Sequence, residues 1–250
     1  MRYLRTMFLF LLSILVLQGC SCGSGSGRGG AFRVGIDPNW YPIDFGSQQS
    51  FVNGFVEDLL LEIARYTGIE FERLPANWDN LLGGMMSQKF DAVLTSLPPY
   101  DYNKALYDFS SNFLDLGPVL IVPVNAKQAD LAKMKGELVG LVAGDPAVLI
   151  LNKHPDIVIK NYTTIPDLLN GITDGESEAG LLNQIPAVSY VQDLYSGVLK
   201  IASKPMTDAG LHLIVLKDKN SHLLRQFDRA LEHMKKKKLP ALLKKWQLGE

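Results

Sequence analysis

The feature that most constrains the fold is a regular alternation of short apolar runs with longer amphipathic segments. From residue 32 onward the chain contains, in order, FRVGI, FVEDLLLEIARYTG, IEFERL, WDNLLGGMMSQ and FDAVLTS. The short runs are rich in β-branched and aromatic residues, which favour strands, and the longer segments have helical length. This order is typical of an α/β fold with a largely parallel sheet.

The first amphipathic segment shows why a helix is expected there. Phe55, Leu59 and Ile63 are four residues apart, so they lie on one face of a helix, while Glu57 points elsewhere. Gly68 follows the periodic stretch and suits the left-handed position just past a helix end. The sequence therefore predicts a helix that stops at Gly68.

The same pattern occurs a second time, which indicates two lobes. ELVGLVAGD resembles FRVGID, and DGESEAGLLN resembles SQKFDAVLTS. Two apolar runs without helical spacing, GPVLIVPV and LHLIVL, are interpreted as crossovers near Gly117 and Asp208. We expect a first lobe of residues 31–117 and 209–250, a second lobe of 118–208, and a small-molecule cleft between them at the carboxyl ends of the strands.

The N-terminus has the layout of an export signal. Arg2 and Arg5 precede the apolar run MFLFLLSILVL, which is shorter than the ~20 residues that a membrane-spanning helix needs. LQGC places Cys20 directly after a small residue, as in the bacterial lipobox, where the cysteine is acylated. We predict a signal peptide over 1–19 and a lipidated flexible tether over 20–30. The alternative is an ordinary signal peptide that leaves a free thiol.

Composition excludes several other classes of function. The chain has 25 basic and 26 acidic residues, which gives no reason to expect nucleic-acid binding. Both cysteines, Cys20 and Cys22, precede the folded part, and the four histidines lack the spacing of metal ligands. The pattern G-x-G-x-x-G at Gly25 follows no strand, so it does not indicate a dinucleotide site. We expect no metal and no cofactor.

Six segments together carry a family resemblance over nearly the whole mature chain. They are RVGIDPNWYPIDF, GFVEDLLLEIARYTG, NWDNLLGGM, KFDAVLTS, YDFS and KKWQLG. In this order they resemble the family 3 solute-binding proteins, the periplasmic amino-acid-binding proteins of ABC importers. The resemblance implies the type II two-lobed fold, closure around one solute, a monomer, and delivery to a membrane permease with its ATPase. It implies no catalytic chemistry.

The resemblance also implies positions for solute contacts in the first lobe. Asp37 and Trp40 stand where the family has an acid and an aromatic residue after the first strand, and Trp78 stands where it often has a second aromatic. Two facing rings supply apolar area at little entropic cost. The alternative is that either tryptophan is half-buried core. After the third predicted strand, Ser96, Pro98 and Tyr100 occupy the family's binding loop.

Three departures concern the residues that bind the two charges of an amino acid in this family. Asn103 replaces the arginine that grips the α-carboxylate. In the second lobe, Val142 and Gly144-Asp145-Pro146 replace a glutamine and a Gly-Thr-Thr loop, and Asn183 replaces the aspartate that accepts from the ammonium group. We therefore expect a solute with a positive or neutral polar group. The alternative is that Lys104, Tyr100 and backbone N–H groups recover carboxylate binding.

Two other functional classes stay open on the sequence alone. Relatives on the same scaffold resemble cyclohexadienyl dehydratases, which use cleft carboxylates as acid and base, and Asp37 and Asp145 are the candidates here. No histidine or lysine partner can be placed beside them, so an enzyme is not expected. A sensor or interaction protein that has kept the fold without transport is the third possibility.

Overall fold

The structure is a computed structural model that describes residues 30–249 apart from positions 42, 44, 128 and 129. The predicted signal peptide, Cys20 and all but the last residue of the predicted tether lie outside the described residues. The strands are β1 (Phe32–Ile36), β2 (Phe71–Pro75), β3 (Ala92–Thr95), β4 (Tyr107–Phe109), β5 (Leu114–Asp115), β6 (Pro118–Pro123), β7 (Leu138–Val142), β8 (Val158–Tyr162), β9 (Ala179–Asn183), β10 (Leu199–Ile201) and β11 (Gly210–Leu216). The helices are α1 (Gln49–Thr67), α2 (Trp78–Met86), α3 (Asp101–Lys104), α4 (Val148–Leu151), α5 (Ile165–Thr173), α6 (Gln184–Gln192), α7 (Ser221–Met234) and α8 (Lys238–Lys245).

The first sheet has the strand order β2-β1-β3-β11-β4, and β5 pairs with β11 as well. β1 is parallel to β2 and β3, whereas β11 is antiparallel to β3, β4 and β5. Helices α1 and α7 cover one face with side chains such as Leu59 and Phe227, and α2 covers the other with Leu81 and Met85. The sheet is therefore buried on both faces, which explains its near-continuous apolar strands.

The second sheet has the order β10-β6-β9-β7-β8. β7 is parallel to β8 and β9, and β6 runs antiparallel to β9 and β10. One face packs against α4 through Leu151, and the other packs against α5 and α6 through Leu168, Ile172 and Ala187. Each sheet with its helices forms a three-layer unit.

The chain passes between the two sheets twice within the described residues. It leaves the first sheet after β5 and enters the second at β6, and it returns between β10 and β11. The predicted crossing points near Gly117 and Asp208 fall in these two connections. The apolar runs that were interpreted as crossovers, however, are full strands of the sheets, β6 and β11. Their continuous apolar character follows from burial inside a sheet.

Helix α1 forms as its sequence predicts. Phe55, Leu59 and Ile63 are fully buried, and burying each such side chain contributes roughly 1.5–3 kcal/mol relative to leaving it exposed. Gly68 has φ 73° and its N–H donates to the carbonyl of Ala64 at 2.8 Å. The left-handed glycine ends the helix, as expected.

The C-terminal segment is fastened to α1. The Trp246 indole N–H donates to the Asp58 carboxylate at 2.8 Å, and Lys245 contacts the same oxygen at 2.5 Å. The indole ring lies against Gly54, where an added Cβ would meet ring carbons at 2.2–2.7 Å. Lys238 begins α8 and pairs with Glu62.

In the second unit, Tyr162 is wedged between two glycines. A Cβ on Gly171 of α5 would lie 2.2 Å from the Tyr162 hydroxyl oxygen, and a Cβ on Gly140 of β7 would lie 2.7 Å from its ring. The hydroxyl is 2.8 Å from the hydroxyl of Ser177, which is also buried. The glycines thus let α5 approach the sheet closely enough to enclose a tyrosine.

An ion pair connects β1 to the start of β3. The Arg33 guanidinium donates from Nε and Nη2 to the two oxygens of Asp91 at 3.0 and 2.9 Å, and the Arg33 backbone N–H donates to Oδ2 at 2.9 Å. These bonds, led by those of the guanidinium, hold the pKa of the Asp91 carboxyl below its usual range. Because the pKa of Asp91 is lower in the folded protein, its ionised carboxylate stabilises the folded state.

Replacing Asp91 by asparagine is expected to lower the free energy of unfolding at pH 7 by about 1 kcal/mol, because the pair is 40% and 28% exposed and therefore screened by water. The stabilisation is present above the unfolded pKa of about 3.9 and is lost as the pH falls through the lower folded value. Urea unfolding of both proteins should show a difference that narrows below pH 4. Glu137→Gln, at an exposed position without an ion pair among the described residues, is the control, and an equal loss there would contradict the prediction.

Candidate functional site

A cavity of about 780 Å³ opens between the two sheets. Its walls come from the loops after β3, β7 and β9 and from both connections between the sheets. In parallel sheets the carboxyl ends of neighbouring strands share one edge, so loops from each sheet meet here. The lining residues that the argument uses are Pro98, Tyr100, Lys104, Asp145, Lys153, Asn183 and Asp208.

Four of the predicted site residues line this cavity. Pro98 and Tyr100 contribute from the loop that leads into α3, Asp145 follows β7, and Asn183 is the last residue of β9. Asn183 is exposed, and it makes no side-chain capping bond to α6. These four predicted site residues come from both sheets and line one cavity.

Asn103, at the position of the family's arginine, does not line the cavity. Its side chain is 8% exposed and its amide donates to the carbonyl of Pro98 at 2.8 Å. Asn103 therefore stabilises the loop between β3 and α3 by a hydrogen bond to its backbone. Ser96, which directly follows β3, is half-buried, and its hydroxyl oxygen has no hydrogen-bond partner among the described residues.

Asp37 and Trp40 are also buried, and neither lines the cavity. Asp37 is 4% exposed and accepts from the Asn39 backbone N–H at 2.9 Å, which closes a local turn. Trp40 has φ 58°, an unusual conformation for a bulky residue, and is 1% exposed in the core of the first unit. Its indole N–H donates to Asn53 at 2.7 Å. In this conformation Trp40 is a core residue, which is the alternative that the sequence left open.

Trp78 does not line the cavity or face Trp40. It begins α2 half-buried, and its ring lies 6.0 Å from that of Tyr41, which is 59% exposed. The aromatic pair on the first unit is therefore Tyr41 with Trp78. The sequence offered a signal for Tyr41, since it directly follows Trp40 in a turn-rich loop.

The charges on the cavity wall are balanced. Lys104 and Lys153 provide two cations, and Asp145 and Asp208 provide two anions. Of these, Asp145 was predicted as a site residue and Lys104 was named only in the alternative, whereas Lys153 and Asp208 were not predicted. Lys153 lies two residues beyond the short helix α4, and Asp208 lies in the return connection, so neither follows a strand end directly. None of the four forms an ion pair within the described residues.

Helix α6 contacts both units beside the cavity. The Gln48 amide donates to the Ser189 hydroxyl at 3.0 Å, and the Gln192 amide donates to the Gly249 carbonyl at 3.4 Å. Ile185, in the first turn of α6, packs into the core of the first unit. These contacts connect the units in the present conformation.

Two other kinds of site find no support in the described part of the chain. Groups of three or more histidine, cysteine, aspartate or glutamate side chains that could hold a metal ion do not occur there. Among the same residues, no helix combines the length and the apolar character that crossing a membrane requires.

Two α/β units that share two connections and enclose a cleft define the class of two-lobed binding proteins. The family model of the bacterial extracellular solute-binding proteins, family 3, matches residues 32–250, and the chain belongs to that family. The type II two-lobed fold expected from the sequence is confirmed. The protein is an extracellular solute-binding protein, and members of its family bind solutes rather than transform them.

Individual proteins show the same likeness. The L-cystine-binding protein TcyJ of Escherichia coli K12 is 25% identical over 225 residues, which cover 87% of this chain and 82% of that protein. The histidine-binding periplasmic protein of Salmonella typhimurium is 24% identical over 62% of this chain and 61% of its own length. The unliganded open L-cystine solute receptor of Neisseria gonorrhoeae superposes with a TM-score of 0.68 at 19% identity, covering 88% of this chain and 93% of that one.

Proposed function

We propose that this protein captures a free amino acid in its interlobe cleft and delivers it to the permease of an ABC importer. The single observation that carries the proposal is the balanced set of two lysines and two aspartates on the cavity wall. Opposite charges at one site suit a zwitterion, whose carboxylate and ammonium groups need partners of both signs. The amino-acid-binding relatives support the same class of solute.

The cavity wall favours a different charge preference from that expected from the sequence. The three family departures suggested a positive or neutral polar solute, because they replace the residues that bind the two charges of an amino acid in this family. Lys104 and Lys153 change that balance. A cationic solute would leave two lysines near its charge, whereas a zwitterion pairs with both signs.

Calorimetry on residues 31–250 tests the proposal directly. We expect binding of at least one amino acid from a panel of the standard set with L-cystine, and loss of binding when its carboxylate is converted to a methyl ester. Thermal shift provides a second measurement, because a ligand that binds only the folded state raises its melting temperature. Binding of amines or esters in preference to amino acids would overturn the zwitterion assignment.

We further propose lobes of residues 31–117 with 209–250, and 118–208, that close on the solute as a monomer. Closure is expected because solute contacts from both lobes favour the closed form. Small-angle scattering with and without a bound amino acid should show a smaller radius of gyration in the complex. An unchanged radius with a saturating ligand would count against closure.

We also propose that the protein is exported and lipid-anchored through Cys20, with the residues of the tether as a spacer. Cys20→Ser is expected to move the protein from the membrane fraction to the soluble fraction, because one acylated residue carries the anchor. Cys22→Ser is the matched control and should leave the protein in the membrane fraction. Equal fractionation of the two variants would contradict the anchor at Cys20.

A further inference from the structure

Prolines occupy the loops of the cleft where backbone N–H groups would otherwise bind an anion. Pro98 and Pro99 precede α3, Pro146 precedes α4, and Pro186 lies in the first turn of α6. All four line the cavity. Proline has no N–H, so each one removes a donor from a loop or helix start that faces the solute.

Several of the remaining donors are already used. At the start of α4, the Ala147 N–H donates to the Asp145 carboxylate at 2.7 Å. The Tyr100 N–H donates to the Pro98 carbonyl at 2.8 Å, and the Gln184 N–H donates to the Gly117 carbonyl at 3.1 Å. The Asp145 carboxylate therefore already occupies the start of α4 in the second lobe. A solute carboxylate at that place would be repelled by its negative charge.

Two lysines supply what the backbone lacks. Lys104 is the last residue of α3 in the first lobe, and Lys153 follows α4 in the second lobe. Both line the cavity, and within the described residues neither side chain makes a hydrogen bond or an ion pair. Some lysines elsewhere pair with an acid, as Lys160, Lys217 and Lys245 do. The cavity lysines are left available for a ligand.

We propose that Lys104 and Lys153 each bind one carboxylate, so that the cleft is specific for an amino acid with two carboxylates and two ammonium groups. Asp145 and Asp208 take the ammonium groups. Such a solute matches all four charges of the wall, whereas a single zwitterion leaves two of them unpaired. The rest of the lining is mostly apolar, as at Phe45, Leu116 and Ile150, and suits an uncharged middle such as a thioether or disulfide chain.

A lysine binds a carboxylate with less control of its orientation than an arginine does. Its ammonium group is a point charge without the planar fork that fixes an α-carboxylate in one orientation. Two lysines on opposite lobes therefore recognise the separation of two carboxylates more than the geometry of either one. Binding of both ends also requires both lobes, so it couples recognition to closure. This inference rests on the proposed function, since it names the solute class of the same cleft.

The test compares two-headed and one-headed probes by calorimetry. L-cystine and L-cystathionine carry two carboxylates and two ammonium groups, and S-methyl-L-cysteine carries one of each. We expect the two-headed probes to bind at least about tenfold more tightly, as one added charge-assisted contact gives. Lys104→Met and Lys153→Met should each weaken L-cystine binding by about 10- to 100-fold and change S-methyl-L-cysteine binding less.

Controls separate a lost contact from a lost fold. Lys89→Met and Lys133→Met remove lysines of the first and second lobe that do not line the cavity, and both should leave L-cystine affinity unchanged. The arginine variants of Lys104 and Lys153 should keep most of the affinity. Unchanged L-cystine binding in both methionine variants would overturn the inference and leave the proposed function standing. If the parent protein bound no amino acid of any kind, the proposed function itself would fail.

Discussion

Gly54→Ala is expected to lower the free energy of unfolding by about 3 kcal/mol, because the new methyl group overpacks the contact with Trp246. The added Cβ would lie 2.2 Å from the indole ring, far inside van der Waals contact. The indole would have to move, and its hydrogen bond to Asp58 would be lost. Urea or thermal unfolding measures the change, and a fall in melting temperature of about 6–12 °C is expected.

The expected loss of stability at Gly54 is opposite in sign to the effect of the same substitution at an open helical position. Alanine exceeds glycine in helix propensity by about 1 kcal/mol, so the same substitution at an open helical position stabilises. Gly83→Ala in α2 is the matched control, since no atom lies within 4 Å of its added Cβ. In a Trp246→Ala background, Gly54→Ala should become stabilising as well. A stabilising effect in the parent protein would show that the indole does not pack there.

Gly171→Ala is expected to have a comparable effect in the second lobe, again about 3 kcal/mol. Its Cβ would lie 2.2 Å from the Tyr162 hydroxyl oxygen and 2.5 Å from two ring carbons. The Tyr162 side chain cannot move away easily, because its ring also packs against Gly140 and its hydroxyl group forms a hydrogen bond with the hydroxyl group of Ser177. Either α5 or the tyrosine must shift, at the cost of packing or of a buried hydrogen bond.

A double mutant assigns that loss to the tyrosine. Tyr162→Leu destabilises by itself, but it removes the hydroxyl and part of the ring, so Gly171→Ala should cost little in its presence. The difference between the two backgrounds is the coupling energy of the pair. Unfolding monitored by circular dichroism gives all four free energies. Equal costs of Gly171→Ala in both backgrounds would refute the role of Tyr162.

The sequence predicts the elements of this fold well where one local pattern decides them. Phe55, Leu59 and Ile63 define the buried face of α1, and Gly68 ends the helix, because helical period and left-handed conformation are both local properties. The apolar runs that form β6 and β11 were interpreted as crossovers, because their role as interior strands depends on pairing with distant residues.

The candidate site is predicted less completely, since position in the chain does not fix the direction of a side chain. Asp145 and Asn183 lie at strand ends and line the cavity. Trp40 also follows a strand, yet its positive φ turns the indole toward Asn53 and the core. Lys153 was missed because the short helix α4 carries it back to the cavity, and such a placement depends on tertiary packing.

The place of β11 in the first sheet constrains the order in which the protein folds. β11 lies between β3 and β4 but follows them by about a hundred residues, so its pairing requires the closure of a long loop. The strands of the second sheet all come from the continuous stretch 118–201. The second lobe can therefore fold as soon as its own residues emerge, whereas β3 keeps an unpaired edge until residue 210 arrives. Until that pairing forms, the open edge of β3 can pair with strands of other chains.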